Sequence, residues 1–160
     1  MNYKNILGII FALFILVIVS LISSKVFFGN ISPFQKQAKI VINNNKFNLL
    51  VAKTGKEQEI GLSKYTKLPK DQAMIFPFGK EGYYGFWMKN MKFPIDIIFI
   101  RKGKIVTVYE NVKPPKSVND TLPVYQPTQV SDTVVEINAG LAKEQKIKTG
   151  DKISYENFSN

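Results

Sequence analysis

One short run gathers side chains able to do chemistry. Phe86-Trp87-Met88-Lys89-Asn90 supplies an indole, an ammonium and an amide, and Asp96 follows shortly after. Side chains alternate along a strand, so Trp87 and Lys89 share one face, and Phe86 and Met88 the other. If residues 90–95 close a hairpin loop, the register centred there sets Lys89 opposite Asp96 and Trp87 opposite Ile98. Two readings follow. In one, Trp87 is the apolar wall of a pocket in which Lys89, Asn90 and Asp96 fix a polar ligand. In the other, Lys89 and Asp96 are a structural pair beside a core tryptophan, although lysine is a costly choice for such a pair.

Five further residues carry functional groups in suggestive places. Glu57 closes Thr54-Gly55-Lys56-Glu57, the spacing of a helix capping box, which explains it without any function. Glu136 alternates with Val135 and Ile137, so it faces away from their side of a strand, onto a wet face or into the polar pocket. Asn138 stands where an N-cap would start a short helix running through Lys146. Tyr125 lies in a proline-rich stretch, either closing over a ligand or anchoring the loop to the body. Asp151, after Gly150, reads as turn chemistry.

Composition narrows the reactions open to these groups. The chain has no histidine and no cysteine. Serine–histidine triads, thiolate nucleophiles, disulfides and cysteine-ligated zinc are excluded, and almost every catalytic transition-metal site with them. An oxygen-only calcium site would need a ligand loop of recognisable spacing, and none is present. No cofactor and no metal are expected. Any enzyme built here works with Asp, Glu, Lys, Tyr, Ser or Thr. Net charge is +10, from 22 basic and 12 acidic residues. That favours anionic surfaces, but the lysines are scattered and no nucleic-acid motif accompanies them, so a nucleic-acid partner is not expected.

The elements that must position these groups form a mostly β pattern in a length of about one domain. Expected strands are 39–43, 47–53, 73–78, 83–88, 95–100, 105–109, 133–137 and 152–155. Asn43-Asn44-Asn45 and Lys102-Gly103 read as hairpin turns. Ile95–Ile100 is apolar on both faces after Asp96, as in a doubly covered central strand. Residues 111–131 hold Pro114, Pro115, Pro123 and Pro127, which break regular structure. Such a long irregular stretch suits a lid, a binding loop or disorder. The expected fold class is therefore mostly β (α+β), a single β-sandwich or barrel-like domain over 38–157 with two short helices.

Before it stands a different kind of segment. Ile6 to Ile22 is uncharged and apolar except at Gly8 and Ser20. This is the length of a bilayer-spanning helix, about 17–25 residues. Large Leu21 and Ile22 occupy the places where signal cleavage wants small residues. Residues 1–30 are thus expected to be an uncleaved signal-anchor, one transmembrane helix, with 31–37 as a linker. Lysines flank both ends, so the positive-inside rule does not orient it. The short N-terminal flank favours export, which places the C-terminal domain outside the cell membrane.

The middle of the chain also resembles a known family. Phe86-Trp87-Met88-Lys89-Asn90 with Pro94-Ile95-Asp96-Ile97 and Phe99-Ile100 is similar to the F-W-M-K-N…P-x-D-I-x-F-I signature of the bacterial and archaeal domain of unknown function 192. Val51-Ala52, Thr54, Glu57, Gly61-Leu62, Leu68-Pro69 and Met74-Ile75-Phe76 resemble its first half. Glu136-Ile137-Asn138-Ala139-Gly140 and Gly150-Asp151 resemble its end. Departures are Ser63 for Met, Tyr65 for Arg, Ala73 for Gly and Met91 for Thr. The resemblance implies a compact β-rich domain, often exported or membrane-anchored, whose family activity is not established. Anchor, size and aromatic–polar cluster point to a non-catalytic binding module for a polar ligand, a glycan or anionic wall polymer, or a protein partner. The alternative is a hydrolase or transferase using Glu57, Asp96 or Glu136 as acid and base.

Overall fold

β-branched and aromatic residues clustered between turn signals produce the strands. The structure, a computed structural model, describes residues 36–117 and 119–159. The expected anchor, residues 1–30, lies outside the described residues. The chain divides into units 1–36 and 37–160, and the second is described here. Its elements are β1 (Lys39–Ile42), β2 (Asn45–Val51), α1 (Gly55–Ile60) running into a 3-10 turn (Gly61–Lys64), β3 (Gln72–Gly82), β4 (Ile95–Arg101), β5 (Lys104–Val112), β6 (Ser131–Asn138), α2 (Leu141–Glu144) and β7 (Ile153–Glu156).

The strands form one sheet in the order β5-β4-β6-β3-β2-β1-β7. Every pairing is antiparallel except β2 with β3. A parallel pair needs a crossover, and α1 lies in it. The sheet curls until its edges meet. Lys104 bridges Lys152, the Ile105 N–H donates to the Asp151 carbonyl at 2.9 Å, and the Ile153 N–H donates to the Gly103 carbonyl at 2.9 Å. The mostly β, barrel-like expectation with two short helices is thereby met in the described domain.

Alternation along the strands divides the core in two. Ile40, Ile42, Phe47, Ile75, Ile98, Ile100, Val135 and Ile137 point inward, where Leu141 and Ala142 of α2 join them. Met74, Phe76, Ile97, Phe99 and Val134 point outward and are covered by Leu62, Leu68 and Met88. β4 is buried from Ile95 to Ile100, on both faces. The hairpins close as two-residue turns. Asn43 (φ 48°) and Asn44 (φ 69°) join β1 to β2, and Lys102 (φ 48°) and Gly103 (φ 74°) join β4 to β5. Positive φ at both central residues gives the twist that suits a hairpin.

One expected strand is absent. Within 83–88 only Phe86 pairs, and it pairs with Tyr125. Residues 83–94 run instead as an irregular arm, and β4 takes β5 and β6 as neighbours. The hairpin register that set Lys89 against Asp96 therefore does not exist. The second helix is also shorter than expected: it starts at Leu141, with Gly140 rather than Asn138 at its N-cap.

Candidate functional site

Glu136 lies in the middle of the sheet, on β6 between Met74 of β3 and Ile97 of β4. Alternation turns it to the outer face, away from Val135 and Ile137, so an acid stands in an apolar row. It is 5% exposed, and its Oε2 has no hydrogen-bond partner. Burial penalises the charged form and pushes its pKa up to about 8. At neutral pH the group is mostly a carboxylic acid. It offers a proton to an acceptor, or gives the proton up to receive a cation.

A cleft of about 160 Å³ opens above it. Gln58, Glu59 and Ser63 line one side, from α1 and the 3-10 turn. Tyr84, Phe86, Trp87 and Lys89 of the arm line the other, with Phe76 and Phe78 of β3 between them. Phe78 stacks on Tyr84, with centroids 3.6 Å apart and planes 8° apart. Phe86 meets Phe76 and Phe99 edge-on at 5.0 and 5.8 Å. Trp87 is half exposed at the rim, and the Lys89 Nζ lies 5.6 Å from its ring centroid. That distance is within cation–π range. Trp87, Lys89 and Glu136 therefore line one cleft, whereas Asn90 and Asp96, which the pocket reading set beside Trp87 and Lys89, do not. The sealed-core reading of Trp87 does not hold.

Tyr125 holds the arm. Phe86 and Tyr125 exchange two backbone hydrogen bonds of 2.9 and 2.8 Å. The Tyr125 ring meets Tyr109 edge-on at 5.2 Å, and the Tyr109 hydroxyl donates to the Gln126 carbonyl at 2.7 Å. Of the two roles open to Tyr125, anchoring is the one its contacts describe.

Four other expected site residues stand elsewhere. Asp96 is fully buried on the inner face of β4, with Ile98 and Ile100. Its Oδ1 accepts from the N–H groups of Asn111 and Gly140 at 2.7 and 3.0 Å, and its Oδ2 from that of Ala142 at 2.8 Å. These bonds tie β4 to the end of β5 and the start of α2. Asp96 is thus separated from the cleft by the sheet, and Lys89 is not its partner. Asn90 is exposed, takes φ 59° in a turn, and does not line the cleft. Asn138 does not cap a helix. Its Nδ2 donates to the carbonyls of Leu68 and Pro69 at 2.8 and 3.0 Å, clipping that loop to β6. Glu57 is the exposed half of the capping box. Its Oε2 accepts from the N–H groups of Thr54 and Lys53 at 2.8 and 2.9 Å, which lowers its pKa below the usual carboxylate value.

Sequence reasoning missed Gln58, Glu59, Ser63 and Tyr84. Nothing in their spacing marks them, because they become a wall only when the arm folds across from α1. No group of three or more acidic residues able to hold a metal occurs among the described residues.

Fold and cleft together define a small, curled-sheet domain with an aromatic-walled hollow over a buried acid. The chain belongs to the DUF192 family, described as Uncharacterized ACR, whose family model matches residues 38–155. It is similar to a solved protein of unknown function from Novosphingobium aromaticivorans, at 29% identity and a TM-score of 0.63, covering 79% of this chain and 89% of that one. It is also similar to a solved putative transcription regulator from Sinorhizobium meliloti, at 25% identity and a TM-score of 0.67, covering 81% of this chain and 100% of that one. No curated protein matches it.

Proposed function

We propose that this protein is a membrane-anchored extracytoplasmic binding module whose ligand enters the cleft above Glu136. The ligand is carried by a glycan, an anionic wall polymer or a protein partner. One observation carries the binding reading: a buried carboxyl oxygen without a partner faces a cleft rimmed by an exposed tryptophan. Buried polar groups are nearly always satisfied, so an unsatisfied one beside a cleft is a place for a ligand atom. Aromatic walls with a few convergent polar groups are the usual make-up of small-ligand sites. Support for the anchor is the apolar run of residues 6–22.

The Sinorhizobium protein is described as a putative transcription regulator. Among the described residues the longest α-helix has six residues, too short to serve as a groove-reading helix. An enzymatic reading keeps one observation in its favour. A carboxyl with a raised pKa is the form a general acid takes, and Glu59 lines the same cleft. Glu57 and Asp96 do not line it.

The test is an indole titration of the full-length protein with solubilised wall polymers, oligosaccharides and peptides. Trp87 is the only tryptophan, so any ligand in the cleft reports through it. A saturable emission change, with binding by calorimetry lost in Trp87→Ala, supports the reading. Ligand that binds equally well to Trp87→Ala, without an emission change in the parent protein, places recognition elsewhere. Turnover of a glycan or peptide that is abolished in Glu136→Gln would favour the enzyme.

A further inference from the structure

We infer that the cleft is built for an ammonium group on a short aliphatic arm, the chemistry of a lysine side chain, with Glu136 as its counter-ion. This rests on the binding reading above and names the ligand chemistry of that site.

Three observations carry it. The first is the unpartnered Oε2 of Glu136, nine-tenths and more buried at the cleft. An ammonium supplies three donors and no acceptor, so one of its N–H groups can satisfy that oxygen while its charge matches a carboxylate's. The second is the wall. Phe76, Phe78, Tyr84, Phe86 and Trp87 surround the space, and aromatic faces attract cations while tolerating the methylenes of the arm. The chain's own ammonium displays that affinity, since Lys89 Nζ already lies over the Trp87 ring at the rim. The third is the charge balance. The charged or titratable groups sharing the cleft are Glu59 of α1 and Tyr84 and Lys89 of the arm. The flanking strands place Met74, Phe76, Ile97 and Phe99 beside Glu136, and no charge. With Glu136 ionised, two negative charges face one positive charge, and a monocation neutralises the site.

Binding then moves a proton. The free carboxyl is held neutral by burial, and the incoming ammonium restores its charged form. The acid proton leaves to solvent, the ligand keeps its own protons, and one hydrogen ion is released per ligand below the free group's pKa. A neutral hydroxylic ligand would do the opposite: it would accept from the carboxylic acid and release no proton.

The test is calorimetry on the full-length protein with pentylammonium, pentanol and methyl glucoside, in two buffers of different ionisation enthalpy. The expected result is that pentylammonium binds at least tenfold more tightly than pentanol. Its binding releases close to one proton at pH 6 and strengthens toward pH 9. Glu136→Gln lowers its affinity tenfold or more, and Glu59→Gln lowers it a few-fold. Pentylammonium binding without proton release would overturn the inference even if the Gln variant failed to fold. Methyl glucoside binding in place of pentylammonium would overturn it while leaving the binding module standing. No binding of any of the three also overturns it.

Discussion

Glu136 is where a single side chain has the largest consequence. At neutral pH its acid stays mostly protonated only while buried, so folding and ionisation compete. The folded pKa, about 8, lies above the unfolded value of 4.5. Below 4.5 both states are protonated and stability is unaffected. Between the two values the unfolded chain loses the proton first, so stability falls as pH rises, and it levels off above about 8. The total loss is up to about 5 kcal/mol. Glu136→Gln should remove most of this slope in denaturant melts at pH 5, 7 and 9, and should be the more stable protein at pH 9. An unchanged slope would mean that the carboxyl is not desolvated. Trp87 is the contrasting case. Being half exposed, Trp87→Ala should cost only about 1 kcal/mol, against about 3–5 for a core tryptophan, and circular dichroism melts will distinguish these. Asp96 behaves as neither. Its carboxylate is buried under three backbone donors, so Asp96→Ala should cost about 3 kcal/mol or more. The Lys89→Ala change should add to it without coupling in a double-mutant cycle.

At the scale of elements, the cleft depends on two pieces held onto the outer face: α1 with its following loop, and the arm 83–94. The loop is held by Asn138. Asn138→Ala removes two hydrogen bonds to carbonyls and should cost about 1–2 kcal/mol. The associated signature is faster amide exchange in residues 68–72, where the Gln72 N–H itself bonds the Pro69 carbonyl. Unchanged exchange there would mean that the clip is incidental. Local chemistry made several elements legible in the sequence. Consecutive asparagines take positive φ at the first hairpin, Thr54 and Glu57 form the reciprocal box, and the apolar run of β4 marks a strand covered on both sides. The arm was not legible, because Phe86-Trp87-Met88-Lys89 alternates like a strand while its one pairing partner, Tyr125, lies far along the chain. That error carried Asp96 into the site, since a register drawn across an assumed hairpin has no non-local information. Alternation did place Glu136 on the right face, but whether that face was wet depended on what α1 and the arm cover.

For the whole molecule, the described domain accounts for the family membership and the curled sheet, and residues 1–30 carry the proposal about location. Full-length protein should sediment with membranes, resist extraction by high salt and dissolve in detergent. Protease added to cells stripped of outer layers should digest the domain. Protection there, with digestion only after lysis, would put the domain on the cytoplasmic side. The basic surface, +10 overall, should strengthen contact with anionic envelope material at low salt and lose that contribution as salt rises.

The most direct measurement is a carbon-13 NMR titration of the Glu136 carboxyl in the full-length protein, with and without saturating pentylammonium, using Glu136→Gln for assignment. If the cleft is a binding site with Glu136 at its floor, the free carboxyl titrates near 8 and the midpoint falls when the ammonium is present. A free midpoint in the ordinary carboxylate range that the probe leaves unmoved would contradict it.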